Sequence, residues 1–161
     1  MFYKRIFREL ARPRIKYAVA GGMAVNIYGY IRSTVDLDII LLLEEDNIAK
    51  FIALVKKIGF IPRVPVDIDD FLSSDKRRDW IAAKCMKVSC VYNPACEIEQ
   101  VDVMIDPALD IQGLFSRSVL HEIYGIEVPV VSLADLIAMK TLAGRGRDLD
   151  DINNLRHLLG G

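Results

Sequence analysis

Residues 21–38 read GGMAVNIYGYIRSTVDLD, with a pair of glycines at one end and two aspartates at the other. A short apolar stretch over 16–20 precedes them and predicts a strand that the glycines interrupt. The apolar residues after the glycines predict a short, mostly buried helix that ends near Gly29. A second strand is predicted over 35–42, where the unbroken apolar run after the second aspartate is typical of a strand covered on both faces. The stretch therefore predicts two strands joined through one helix.

Asp36 and Asp38 are two residues apart in the second predicted strand. Both side chains should point to the same face, about 6–7 Å apart along the chain. Ile40 and Leu42 continue that face with apolar side chains. Two unpaired carboxylates buried on such a face would cost much free energy, which favours a metal site or a solvent-filled cleft. A half-exposed strand with two ordinary surface acids is the alternative that the pattern leaves open.

A third acid is expected from a neighbouring strand, and Asp102 is the preferred candidate. It lies inside an apolar, extended segment predicted over 97–105. Glu99 and Asp106 compete with it, but they fall toward the ends of that segment, where solvated acids are common. The sequence thus predicts three converging carboxylates.

The double glycine has its own predicted role. Gly21 and Gly22 stand where a strand passes into a helix, so their backbone amides and the positive helix end can bind phosphate oxygens. The connection to the aspartates adds the guanidinium of Arg32 and the hydroxyl of Thr34. A lone pair of glycines is weak evidence, but in this order the residues predict an anion site beside the carboxylates.

Elsewhere the chain alternates between helical and extended patterns, with no repeat and no linker long enough to separate domains. Helical spacing predicts helices over 2–10 and 45–58, a helix that begins at Ser132 and ends at Gly144, and a last helix from Asp148. Extended segments are predicted over 87–92, 97–105, 119–124 and 126–131. The stretch 62–79, rich in proline and charge, is predicted to be a loop with one or two helical turns.

The bulk properties limit the class of protein. The chain has 161 residues, is 52% hydrophobic and carries a formal charge of -1. This size and composition predict one compact domain, and the near-neutral charge gives no overall attraction to nucleic acid or to anionic membranes. No stretch reaches the roughly 18 apolar residues of a membrane span, so we expect no membrane association and a cytoplasmic location.

One local exception is a basic cluster at the start of the chain. Its members are Lys4, Arg5, Arg8, Arg12, Arg14 and Lys16, with Glu9 as the nearby opposing charge. Such a cluster can be an RNA-facing patch or the solvated face of an amphipathic helix, and the second interpretation is favoured.

Together the motifs resemble those of the polymerase-beta-type nucleotidyltransferase superfamily. The resemblance rests on the double glycine, the arginine, threonine and two aspartates of 32–38, and an acid on a later strand. The segments SLADLIAMK over 132–140 and RGRDLDD over 145–151 are similar to later motifs of the AbiEii-type (abortive-infection toxin) branch. One departure is that this branch usually carries glutamate where the chain has Asp135 or Ala134.

The resemblance implies an α/β (α+β) nucleotidyltransferase fold with a mixed sheet flanked by helices. It implies one domain over 1–161, in which a helical pair over 132–159 closes the cleft. Mg²⁺, with Mn²⁺ as an alternative, would be bound by the three aspartates, and Asp102 would lie near the acceptor hydroxyl. The nucleotide-binding residues would be Gly21, Gly22, Arg32, Thr34 and Lys140. An exposed helix lysine is the alternative for Lys140.

By the same resemblance, the protein would transfer a nucleoside monophosphate from an NTP to an acceptor hydroxyl or phosphate and release pyrophosphate. The acceptor could be tRNA or a protein, as for a toxin with a cognate antitoxin, or a small molecule, as for antibiotic-modifying enzymes. A non-catalytic nucleotide-binding partner is a third interpretation, against which the three retained acids argue.

Overall fold

A computed structural model describes residues 1–84, 88–105 and 110–159, except for the side chains of 83, 84 and 159. The strands are β1 (Tyr17–Val19), β2 (Leu37–Leu41), β3 (Ile61–Pro62), β4 (Val88–Asn93), β5 (Cys96–Met104), β6 (Val119–Ile123) and β7 (Ile126–Val130). The helices are α1 (Phe2–Ala11), α2 (Gly21–Ile27), α3 (Glu45–Lys57), α4 (Ser74–Lys84), α5 (Ile111–Ser116), α6 (Leu133–Ala143) and α7 (Gly146–Leu159), with a 3-10 helix at Ile68–Leu72.

The seven strands form one mixed sheet in the order β3-β4-β5-β2-β1-β7-β6. β2 lies at its centre, antiparallel to β1 and parallel to β5. Four of the five residues of β2 are buried, as expected for a strand that both faces of the fold cover. The predicted fold class, a mixed sheet flanked by helices, is confirmed.

Local signals in the sequence explain most of the helices. α3 buries one side, including Ile48, Phe51 and Val55, and carries acids in its first turn and lysines in its last, which suits the helix dipole. At the start of α6, Ser132 Oγ accepts a hydrogen bond from the Asp135 amide at 3.1 Å. Gly144 ends that helix with a φ of 61°. The predicted bounds of α3 and α6 are confirmed within one residue.

The interpretation of 62–79 as a loop is wrong beyond residue 73. The 3-10 helix corresponds to the predicted helical turns, but α4 begins at Ser74 and continues to Lys84. Its described side chains are mostly polar, so an apolar stripe does not mark it as a helix. Trp80 anchors α4 by stacking on Phe71, with ring centroids 6.2 Å apart.

Smaller differences concern the ends of elements. The last helix begins at Gly146 rather than at Asp148, and residue 87, predicted as the start of a strand, lies outside the described residues. The short helix α5 was not predicted from the sequence. Among the described residues, no helix combines the length and the apolar character that crossing a membrane requires.

Candidate active site

Two of the three predicted acids lie side by side at the centre of the sheet. Asp38 on β2 is directly opposite Asp102 on β5, because the parallel register pairs these two residues. Asp36 comes immediately before β2, so the strand starts one residue later than this acid instead of including it. All three nevertheless line the same cleft. The predicted convergence of the three residues on one site is therefore observed.

The cleft has a volume of about 840 Å³. It lies between the β2 and β5 side of the sheet and the segment that joins α6 to α7. The eight residues predicted for the site all line it: Gly21, Gly22, Arg32, Thr34, Asp36, Asp38, Asp102 and Lys140. The competing acid Glu99 instead contacts Arg5 and Asn93, and Asp106 lies outside the described residues.

The acids of the cleft are held in surroundings that disfavour their charge. Burial, followed by the charge of Asp102, raises the pKa of Asp38 to about 6, although a hydrogen bond from the Gly22 amide acts against this. Burial also raises the pKa of Asp102; a hydrogen bond from the Cys90 thiol opposes this shift, while the charge of Asp36 adds to it. A cation bound between them would stabilise the ionised form of both carboxylates.

The acids of the cleft offer carboxylate oxygens as possible ligands for a divalent metal. Within 1–84, 88–105 and 110–159, no three His, Cys, Asp or Glu side chains already stand at metal-holding positions. Asp102 Oδ1, however, is buried without a hydrogen-bond partner, and carboxylate oxygens are the ligands that Mg²⁺ and Mn²⁺ prefer. The residues therefore suit a hard divalent cation, because they offer carboxylate oxygens and because Asp102 Oδ1 has no hydrogen-bond partner to displace.

The raised pKa of Asp38 predicts a pH dependence of stability without metal. Between its ordinary value of 3.8 and about 6, the folded protein binds the proton more tightly than the unfolded chain does. The contribution of Asp38 to the free energy of unfolding must therefore fall as pH rises through this window. We expect Asp38→Asn to stabilise the metal-free protein at about pH 7, by on the order of 2 kcal/mol, and much less at about pH 4. Urea unfolding in EDTA at the two pH values measures the difference, and an equal effect at both would contradict the expectation.

The double glycine allows the start of α2 to approach the acids closely. Gly21 has a φ of +58°, and a Cβ atom there would lie 1.8 Å from Asp38 Oδ2. At Gly22, a Cβ atom would lie 2.6 Å from Thr34 Oγ1 and 2.7 Å from a terminal nitrogen of Arg32. Both positions thus exclude any side chain, and the reason is contact with residues of the cleft.

Gly21→Ala is expected to reduce any activity of the cleft by roughly 100-fold, because the new methyl group must displace the Asp38 carboxylate. Gly59→Ala is a matched control. Gly59 also has a positive φ, +75°, but no atom lies within 4 Å of its Cβ position. The two variants share the backbone strain, so a difference in activity isolates the displacement of Asp38. Equal activities per folded molecule would contradict the assigned role of Gly21.

Across the cleft, charged side chains around two buried aspartates join α6, α7 and the segment before β2. Lys140 Nζ lies 2.6 Å from Asp151 Oδ2 and 3.3 Å from Asp148 Oδ1. Arg145 Nε donates to Asp148 at 3.0 Å. Arg32 Nε lies 2.9 Å from Asp151 Oδ1, but its N–H is out of line for a hydrogen bond. Three cations and two carboxylates leave one net positive charge at the cleft wall.

Lys140 is therefore neither exposed nor free in this structure. Its side chain is 6% exposed, and two of its three N–H donors are accounted for by the two aspartates. Burial opposes the ionisation of Asp148, yet hydrogen bonds from Arg145 and Lys140 outweigh it and lower the pKa of this carboxyl. The contact of Lys140 with a nucleotide stays a prediction.

Sequence reasoning missed Gln100. Its side-chain amide donates to Asp36 Oδ1 at 2.5 Å. The signal that could have found it is the period of two along β5, which places Gln100 on the same face as Asp102.

Comparison with known proteins identifies the family. A family model described as nucleotidyl transferase AbiEii toxin, type IV TA system, matches residues 5–158. No curated protein matches the sequence.

Solved structures of nucleotidyltransferases share the fold. An antigenic nucleotidyltransferase-like protein from Paracoccidioides brasiliensis is 17% identical, with a TM-score of 0.61 over 96% of this chain and 73% of that chain. The lincosamide antibiotic adenylyltransferase LnuA, bound to lincomycin, is 17% identical, with a TM-score of 0.60 over 96% and 94%. ANT(2")-Ia in complex with adenylyl-2"-tobramycin is 15% identical, with a TM-score of 0.62 over 98% and 87%.

At these identities the solved structures establish the fold alone. The family match shows the kind of enzyme, a nucleotidyl transferase. The resemblance inferred from the sequence motifs is confirmed by both comparisons. With a match over residues 5–158 of 161, the chain belongs to the AbiEii nucleotidyltransferase toxin family and is an enzyme of the transferase type.

Proposed function

We propose that the protein is a divalent-metal-dependent nucleotidyltransferase that transfers a nucleoside monophosphate from an NTP to an acceptor hydroxyl or phosphate and releases pyrophosphate. The observation that carries this proposal is the meeting of three carboxylates with basic side chains around one cleft. Nucleotidyl transfer depends mainly on positioning and on neutralising the charge of the phosphates. The cleft supports both requirements.

The acids have a defined task in this proposal. Asp36, Asp38 and Asp102 would hold Mg²⁺, with Mn²⁺ as an alternative. The bound metal would supply positive charge to the phosphate oxygens of the NTP. Asp102 on its own strand would also lie nearest the acceptor, where its carboxylate, with a raised pKa, can accept a proton from an attacking hydroxyl.

The remaining residues of the cleft would hold the triphosphate. Gly21 and Gly22 leave room for phosphate oxygens at the start of α2, next to the side chains of Arg32 and Thr34. Lys140, with one N–H donor left, adds a positive charge from α6. In this proposal the whole chain acts as one domain, and the helical pair over 132–159 closes the cleft.

The family name favours a macromolecular acceptor, RNA or protein, and a cognate antitoxin as partner. The basic cluster of 4–16 is a candidate contact for RNA because the helix that carries its first residues, α1, begins next to the segment that bears the first acid. The hydroxyl of Tyr3, at the start of α1, donates to the Val35 carbonyl at 2.9 Å, next to the first acid. Lys4 and Arg8 are exposed on the same helix. Tyr3 thus links the basic helix to the edge of the site.

A small-molecule acceptor is the second candidate. The fold matches LnuA bound to lincomycin over 94% of that chain, so a protein of nearly this size can accept an antibiotic. No other feature of the described residues favours a particular small molecule.

Incubation with labelled NTPs, Mg²⁺ and total cell lysate tests the proposal. The fate of the label in RNA, protein or small molecules separates the acceptor classes, and pyrophosphate release reports the reaction itself. EDTA and the Asp38→Asn variant are the controls. NTP binding that does not depend on Mg²⁺, with no pyrophosphate in any fraction, would instead identify a non-catalytic nucleotide-binding protein.

A further inference from the structure

Gln100 connects one acid of the cleft to a cation outside it. Its side chain lies between Asp36 and Arg63, two residues before Asp102 on β5. Gln100 Nε2 donates to Asp36 Oδ1 at 2.5 Å, and Gln100 Oε1 accepts from Arg63 Nη2 at 3.1 Å. One neutral amide thus joins a carboxylate to a guanidinium.

The two contacts fix the orientation of this amide. A guanidinium can only donate hydrogen bonds and an ionised carboxylate can only accept them. The amide must therefore present its oxygen to Arg63 and its NH₂ group to Asp36. In the flipped orientation, the NH₂ group would face the donors of Arg63 and the amide oxygen would face the acceptor oxygen of Asp36. The two partners therefore select one orientation of the amide.

Arg63 is held in place by contacts with the neighbouring strands. Its guanidinium lies 4.2 Å from the centre of the Tyr92 ring and donates to the Glu97 carbonyl at 3.3 Å. The Arg63 backbone amide donates to the Cys90 carbonyl at 2.9 Å. These contacts with β4 and β5 limit where the guanidinium can move.

The neighbour of Asp102 on β4 is not a cation either. Cys90 is paired in register with Asp102 on β5. Its half-buried thiol is at most a weak hydrogen-bond donor, so it brings no positive charge to Asp102. The Gln100 amide is therefore the link between Arg63 and the acids of the cleft.

The spacing has an electrostatic advantage for a cation site. An arginine in direct contact with Asp36 would neutralise the carboxylate and compete with a metal ion for it. The amide instead orients the carboxylate through a hydrogen bond and adds no net charge. The Gln100 side chain thus separates the positive charge of Arg63 from the Asp36 carboxylate.

We propose that Gln100, oriented by Arg63, is a positioning residue that holds Asp36 Oδ1 and directs the Asp36 carboxylate toward a divalent cation. The inference rests on the proposed metal-dependent function. It assigns to Gln100 and Arg63 an action through Asp36, with no contact to substrate. Hydrogen-bond partners of metal ligands commonly change metal affinity by about 10–100-fold when they are removed.

The affinity of the NTP-free protein for Mn²⁺, measured by electron paramagnetic resonance, tests the inference without an activity assay. Gln100→Met keeps the length of the side chain and removes the donor, so we expect the Mn²⁺ dissociation constant to rise roughly 10-fold or more. Arg63→Met should give a smaller rise, and Arg63→Lys should restore part of the affinity. Because Arg63 acts through Gln100, the double Met variant should bind Mn²⁺ no more weakly than Gln100→Met alone.

Glu97→Ala is the matched control, since it removes only the 3.5 Å contact of Glu97 Oε2 with Arg63 and should leave Mn²⁺ binding unchanged. Urea unfolding of each metal-free variant shows whether a weaker site reflects a weaker fold. Wild-type affinity in Gln100→Met, or additive losses in the double variant, would overturn the inference while the proposed function stands. If the wild-type protein binds no Mn²⁺ either alone or with a non-hydrolysable NTP analogue, the proposed function fails, and this inference with it.

Discussion

Asp38→Asn is expected to lower nucleotide transfer at least roughly 1,000-fold. A bound metal stabilises the charge of a transferring phosphoryl group by several kcal/mol, and a loss of about 4 kcal/mol corresponds to a factor of about 1,000 in rate. Asparagine has the shape of aspartate but offers one neutral oxygen to a cation. Asp36→Asn should have an effect of the same order. The rate of pyrophosphate release at saturating NTP and Mg²⁺ measures it.

Stability distinguishes this loss of activity from a loss of the fold. The metal-free Asp38→Asn protein should be more stable than the wild type at neutral pH, because the carboxylate it removes has a pKa raised by burial and by Asp102. Activity and stability should thus change in opposite directions. Asp46→Asn, on the exposed end of α3, is the control: it should leave activity unchanged and should not raise stability, because it removes only an exposed ion pair with Lys50. A doubly substituted protein, with Asn at 36 and 38, that still released pyrophosphate would refute the assignment of the site.

Lys140→Met is expected to lower the free energy of unfolding by about 3 kcal/mol. The substitution leaves two aspartates, Asp148 and Asp151, with side chains only 3% and 1% exposed, without their shared ammonium partner. Breaking a buried ion pair by removing one partner costs about 3–5 kcal/mol. We expect the lower end of this range, because Arg145 and Arg32 each keep one contact with the aspartates.

An exposed ion pair provides the comparison. Lys50 contacts Asp46 at 2.6 Å on the surface of α3, with side chains 42% and 82% exposed. Lys50→Met should change the free energy of unfolding by no more than about 1 kcal/mol. Urea unfolding of both variants tests the difference. Equal losses of unfolding free energy in the two variants would show that Lys140 and its two aspartates are solvated. If the unpaired charge of the aspartates is the cause, adding Asp148→Asn and Asp151→Asn to Lys140→Met should raise the free energy of unfolding again.

The sequence could predict the acids of the site because their evidence is local. A period of two placed Asp36 and Asp38 on one side, and an apolar segment around Asp102 indicated a second strand. Their direct alignment depends on the parallel register of β2 with β5. That register joins positions 64 residues apart, such as 38 and 102, and local patterns do not encode it.

Other features of the site depend on tertiary contacts that local sequence patterns do not specify. The helical pattern of α6 does not reveal that Lys140 meets two carboxylates from α7. Gln100 looks like an ordinary polar strand residue until Asp36 and Arg63 are placed on either side of it. α4 is held by the stacking of Trp80 on Phe71, a contact that helical periodicity does not show.

The parallel register of β2 with β5 also determines which changes in chain length the gene can accumulate. Successive side chains of a strand point to opposite faces, so one extra codon between positions 101 and 102 would turn the aspartate away from the face that Asp38 shares. An extra codon in the turn at 94–95, between β4 and β5, would lengthen a surface loop and leave the alignment of 38 with 102 intact. Insertions and deletions should therefore accumulate in that turn and be absent from the strand.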